Sequence, residues 1–233
     1  MKLGRWLVLL AMGAAGCAGP TGGTAAPAAA PAPAKAEPDL LSLLPDAAAF
    51  PPHLTRNDVL AHRVFTLEEI AKSSSWNVFG GLVPAGSYRP AACTATSNPD
   101  AEPYAGTRFA LDAYTFEDQA NAIRPDQAIA AGATVARGTV DVAAVRAQAD
   151  RCARVGDGDA LDIRFTLPAN PKADPDQVLA VKMTTGGDLL KLTYVAQVGG
   201  YVVTAYALCS KQPVCEAALK PVLAGGAAKA RAA

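Results

Sequence analysis

The second half of the chain alternates. Leu161, Ile163, Phe165 and Leu167 take one side of a two-residue repeat, and Asp162, Arg164 and Thr166 take the other. A period of two is the mark of a strand with one face in a core. Residues 177–184 repeat it with Leu179, Val181 and Met183 inward, and residues 189–197 and 201–209 continue the series. The turns "TTGGD" and "VGG" separate these runs, and glycine supplies the positive φ that tight turns need. The pattern predicts a four-stranded antiparallel meander over 161–209. Residues 108–116 read as one more strand, with Phe109, Leu111 and Ala113 on one face and Asp112 and Tyr114 on the other.

Elsewhere the period lengthens. Val142, Val145, Ala149 and Cys152 recur at three- and four-residue steps behind Asp141, which predicts a capped helix to about Val155 with that stripe buried. Thr66-Leu67-Glu68-Glu69 has capping-box spacing and predicts a short helix to about Ser73. Pro213 suits the first turn of a closing helix with Val214, Ala218 and Leu219 as its apolar face. Pro221 should end or kink that helix, and the tail GGAAKARAA should fray. Leu40–Leu44 and Ala47–Phe50 form an apolar entry segment stopped by Pro51 and Pro52. The fold class expected is α+β: an antiparallel meander sheet with helices packed on one face, braced by disulfides.

The first residues follow a different logic. Lys2 and Arg5 precede an apolar run from Trp6 to Ala15, which is too short for a bilayer core of about 30 Å and suits the h-region of an export signal. Ala14, Ala15 and Gly16 are small, and Cys17 follows at once. The stretch is similar to a bacterial lipobox, with Ala14 where leucine is usual. That similarity implies cleavage before Cys17 and acylation of its thiol, and two acyl chains hold a membrane where one is marginal. Ala18 to Pro38 has five prolines and no aromatic residue, so it cannot bury enough apolar area to fold. The expected organisation is a signal at 1–16, a lipidated Cys17 with an Ala/Pro tether at 17–38, and one extracytoplasmic domain at 39–233. An ordinary cleaved signal with an incidental cysteine is the alternative.

Export changes how the remaining cysteines are read. Cys93, Cys152, Cys209 and Cys215 are even in number and would lie in an oxidising compartment. Three pairings are possible; Cys93–Cys152 with Cys209–Cys215 is preferred, because the close pair needs only a tight loop at an element boundary. By chain entropy the short loop is worth roughly 2.4 kcal/mol and the long one roughly 4. The 209/215 spacing lacks a CxxC and a nearby histidine, which argues against zinc.

Charge and motif content narrow the function further. The 21 basic and 21 acidic residues become 19 against 21 once Lys2 and Arg5 are removed, which leaves no basic field for nucleic acid. His53 and His62 are the only histidines, and no G-x-S-x-G accompanies them. GDGDALD, with Asp157, Asp159 and Asp162, lacks the sixth-position glycine and closing glutamate of a calcium loop and reads as a turn. The glycine pairs at 80, 186 and 199 lack a phosphate-loop context. No cofactor or metal is expected. Trp76, Phe79, Tyr88, Tyr194 and Tyr206 are the candidates for an apolar ligand surface, against the plainer reading of core aromatics.

The lipobox, the Pro/Ala linker, "YRPAAC" ending at Cys93, "ADRCARV" around Cys152, a late sheet and a closing cysteine pair together resemble the actinobacterial, mycobacteria-type envelope lipoproteins of unknown function. Over residues 40–225 the layout is also similar to the extracellular sensor domain of PknH-type receptor kinases. That resemblance implies two disulfides bracing a sheet and helices around a ligand cleft, and no catalytic residues. The function expected is therefore a membrane-anchored, non-catalytic binding or sensor-like module on the extracytoplasmic face, taking a small or lipidic ligand or an envelope protein. A structural lipoprotein without a pocket, and a serine hydrolase using Ser74 or Ser75 with His62, are the alternatives.

Overall fold

Alternating apolar residues and glycine turns build strands, and in a computed structural model these strands join one antiparallel sheet. The structure describes residues 39–58, 60–66, 69, 108–116, 125–151, 154–155, 163–166, 174–184 and 189–233. All of these fall in the compact unit Glu37–Ala233. The strands are β1 (Thr55–Arg56), β2 (Arg63–Thr66), β3 (Arg108–Thr115), β4 (Ala130–Arg137), β5 (Arg154–Val155), β6 (Ile163–Thr166), β7 (Gln177–Thr184), β8 (Leu190–Val198) and β9 (Tyr201–Cys209). Their spatial order is β1-β3-β4-β9-β8-β7-β6-β5, with β2 also paired to β3. Among the described residues, the α-helices α1 (Val142–Arg151) and α2 (Gln212–Ala232) accompany them, and two short 3-10 turns at Leu40–Leu43 and Ala47–Ala49 open the domain.

β7, β8 and β9 fall where the alternation placed them. β4 is a central strand that the pattern did not reveal, and β1 and β2 were likewise unforeseen. Its sequence, AAGATVAR, is mostly alanine and glycine, which carry little strand preference of their own. β4 forms because it is flanked on both sides, by β3 from Phe109↔Ala136 to Thr115↔Ala130 and by β9 from Ala130↔Leu208 to Arg137↔Tyr201.

The small side chains have a purpose in packing. One sheet face carries Ala131, Ala133 and Val135 of β4, Val203, Ala205 and Ala207 of β9, and Leu192, Tyr194 and Ala196 of β8, all in a single core cluster. α2 lies against this face through Cys215, Leu219, Val222, Leu223 and Ala227. Gly226 lets the helix approach closely, since a Cβ there would stand 2.8 Å from Val203 Cγ1. The opposite face is also buried. Phe109, Leu111, Ala136, Val195, Val202 and Val181 are all at most 1 % exposed. Burial of both faces explains why β3, β4, β8 and β9 read as almost continuous buried runs rather than as one-sided strands.

The helix ends follow the local chemistry. Asp141 Oδ1 accepts from the amides of Ala143 and Ala144, a complete N-cap for α1. α1 stops at Arg151, and Arg154–Val155 already pair with β6, so the helix is shorter than its apolar spacing suggested. The Thr66–Glu69 capping box is formed in both directions, Thr66 N to Glu69 Oε2 at 2.7 Å and Glu69 N to Thr66 Oγ1 at 3.2 Å. α2 corrects the reading of the tail. The helix passes through Pro221 and does not fray before Ala232. Val222, Leu223, Ala227 and Ala230 are buried against the sheet, and burial of that stripe outweighs the propensity cost of one proline and two glycines.

The α2 terminus is pinned by ion pairs. Arg231 binds Asp174 and, at 2.6 Å from Nε, Asp176, while Lys229 reaches Asp46 at 2.7 Å. Its start is pinned by the Cys209–Cys215 disulfide, whose Cα atoms are 5.7 Å apart, inside the range that a bridge spans without distortion. This is the close pair expected from sequence. Cys93 and Cys152 lie outside the described residues.

Candidate functional site

A groove of about 570 Å³ lies beside the start of α2. Three segments build it. The first is Ala48–His53, where Pro51 and Pro52 stiffen the chain leaving the 3-10 turn. The second is Asp126–Ala128, just before β4. The third is the α2 surface made by Pro213, Val214, Ala217, Ala218 and Pro221, residues whose spacing puts them on one side of a helix. The groove volume falls in the range of small-molecule sites, and most of its lining is apolar.

Its walls are rigid for identifiable reasons. Phe50 stacks on Tyr114 of β3, with ring centroids 4.0 Å apart and planes 20° from parallel. His53 Nε2 lies 2.8 Å from the carbonyl oxygen of Ala128. A carbonyl only accepts, so Nε2 is the donor in this bond. That bond ties the first wall to the second. The amide of Ile129 in turn donates to Leu208 O at 2.8 Å, which fastens the second wall to β9.

The polar equipment is sparse. Gln127 Oε1 is buried and accepts no hydrogen bond from any described residue. The side chain of Asp126 is exposed at the rim. No lysine or arginine lines the groove among the described residues. Among the described lining residues no nucleophile is paired with a base. Among the described residues no group of three or more His, Cys, Asp or Glu side chains could hold a metal, and no helix is long and apolar enough to cross a membrane.

Of the aromatic residues singled out from sequence, the described ones, Tyr194 and Tyr206, do not line this groove, whereas His53 does. Tyr194 and Tyr206 are on opposite faces of the sheet. Tyr194 pairs with Ala205 and Tyr206 with Thr193, so adjacent ladder positions send them to different sides. Both are core residues, at 0 % and 2 % exposure, and they cannot line one cleft together. Burial, with a smaller contribution from the Glu216 charge, pushes the Tyr194 phenol up to about 12. Trp76, Phe79, Tyr88, Ser74, Ser75 and the Asp157–Asp162 turn lie outside the described residues, as does Cys17. His62 sits exposed in a left-handed turn, φ 56°, leading into β2. Sequence reasoning looked for aromatics and passed over the prolines, which here form much of the wall. Pro51-Pro52 and the helical spacing of Pro213, Ala217 and Pro221 were the available signals.

A smaller recess of about 460 Å³ lies at the far end of α2, between Asp176, Gly199–Tyr201 and Arg231. Its one guanidinium is committed to Asp174 and Asp176, so it serves as an anchor.

Compared with protein-family profiles, with curated proteins and with solved structures, the chain matches none.

Proposed function

We propose that the chain is an extracytoplasmic lipoprotein, held to the cell membrane by acyl chains on Cys17, whose folded domain is a non-catalytic binding module for a small or lipidic ligand. The groove beside α2 is the observation that carries this reading: an apolar recess of ligand size with braced walls and few polar groups. The export reading supports it from the other end of the chain, since a disulfide between Cys209 and Cys215 suits an oxidising compartment. In this reading β6–β9 act as the meander that presents one helix-covered face, and α2 with the 48–53 segment closes the ligand site on that face.

Native mass spectrometry of the protein taken from envelope membranes tests the proposal. The expected result is a retained small molecule or a mass shift on adding an envelope lipid extract. A bare mass under both conditions would refute the binding function and favour a structural lipoprotein. Metabolic labelling with an alkynyl fatty acid tests the anchor, with the label expected on the wild type and absent from Cys17→Ser.

A further inference from the structure

The three walls of the groove are joined in series, and one link in the series is covalent. His53 Nε2, 2.8 Å from Ala128 O, ties the 48–53 segment to 126–128. The amide of Ile129, 2.8 Å from Leu208 O, ties 126–128 to the end of β9. The next residue of β9, Cys209, is bridged to Cys215 in the first turn of α2. That helix start carries Pro213, Val214 and Ala217 of the third wall. The other restraints on it, among the described residues, are modest. Lys211 at the N-cap makes no side-chain capping bond, and Pro213 presets its own φ but has no N–H to give. Pro213 and Ala217 are exposed, so burial does not hold them. Gln212 accepts from Lys182 Nζ at 3.1 Å and donates to Glu216 Oε1 at 2.9 Å, and single side-chain bonds in a part-buried setting hold a turn less firmly than a covalent link.

We propose that the Cys209–Cys215 bridge is a maturation switch for the groove: the dithiol chain folds its sheet but leaves the third wall unfixed and binds poorly, and the disulfide chain binds. This rests on the proposed binding function and adds its regulation. Closure is thiol–disulfide exchange with a disulfide oxidant. One cysteine thiolate attacks the oxidant, the other displaces it, and the two protons and two electrons leave on the oxidant as a dithiol. Both cysteines are fully buried once bridged, which shields the bond from reductant. The switch therefore closes once, in an oxidising compartment, and the groove is unready for ligand wherever thiols are kept reduced.

Fluorescence titration with N-phenyl-1-naphthylamine, an uncharged apolar dye, tests this on the full chain carrying Cys17→Ser. The oxidised chain should bind the dye, and Ala217→Phe, which fills the groove from an exposed helix position, should abolish that binding. Cys209→Ala with Cys215→Ala should keep the circular dichroism of the parent and bind about tenfold more weakly, as expected of a wall in place about a tenth of the time. Hydrogen exchange should quicken at the amides of residues 214–217 and stay unchanged in β8 and β9. Adding Lys211→Asp, an N-cap that orders the turn without a bridge, should recover most of the binding. Equal binding by the bridged and bridge-free chains, or unchanged exchange at 214–217, would overturn the switch and leave the binding function standing. An unfolded bridge-free chain would also overturn it, because the bridge would then serve the whole domain. Binding that survives Ala217→Phe would overturn the assignment to this groove. Failure of the oxidised chain to bind, with exchange quickened as stated, would count against the binding function and not against the fixing of the wall.

Discussion

The phenol ring of Tyr206 on β9 lies directly over Gly132, its paired residue on β4. A Cβ at position 132 would stand 2.3 Å from Tyr206 Cζ, well inside contact distance. Lys191 Nζ is 5.1 Å from the centroid of the same ring, so the tyrosine is held between glycine backbone and a cation. Gly132→Ala should therefore destabilise the domain by about 2 kcal/mol through overpacking. Urea denaturation would read this, and adding Tyr206→Leu should recover part of the loss. Strict additivity of the two changes would mean that they do not share the space.

The Cys209–Cys215 bridge closes a short loop at the junction of β9 and α2, and both sulfurs are fully buried. Cys215→Ala should cost roughly 2 kcal/mol by chain entropy. In the wild type, neither of these cysteines should react with an alkylating agent until the protein is both unfolded and reduced, which peptide mapping of labelled protein would show.

Arg56 on the edge strand β1 makes two bonds to Asp112, at 3.0 and 2.7 Å, and the carboxylate is almost wholly buried on β3. This bond to Asp112 is the main cause that raises the Arg56 pKa. Arg56→Met leaves a buried carboxylate without its partner and should cost about 2 kcal/mol, with Asp112→Asn restoring part of it in the double variant. A cycle of four melting curves measures the coupling.

Tyr194 loses stability to alkali. Its folded pKa of about 12 lies above the ordinary value of 10.0, so the folded state holds the phenol proton more tightly than the unfolded state does. The stabilisation is complete below pH 10 and disappears as pH rises towards 12. Tyr194→Phe should flatten that alkaline decline in a pH series of denaturation midpoints. At neutral pH it should be neutral or stabilising by up to about 1 kcal/mol, because the Tyr194 hydroxyl finds no partner among the described residues. An equally steep decline in the variant would assign the effect to another group.

β7, β8 and β9 were legible because Leu179, Val181 and Met183, and the glycine turn at 199–200, announce themselves within ten residues. The two caps, at Asp141 and at Thr66–Glu69, were legible for the same reason, since a cap is a contact between near neighbours. β4 was not. Ala131, Gly132 and Ala133 become strand only because β3 and β9 pair on either side and large side chains lie across them, and those partners are distant in sequence. β3 was legible as well, since residues 108–116 alternate Phe109, Leu111 and Ala113 against Asp112 and Tyr114, although Asp112 is itself buried in the fold.

The chain by itself determined its local features, the late strands, the helix caps and the nearby cysteine pair, since each depends on interactions over a few residues. Only the tertiary structure decided that α2 runs unbroken past Pro221, because the free energy that holds it comes from contact with β4, β8 and β9. It also decided where the groove lies. Phe50, Gln127 and Pro213 are far apart along the chain, and nothing within any one of those segments indicates that folding brings the three together.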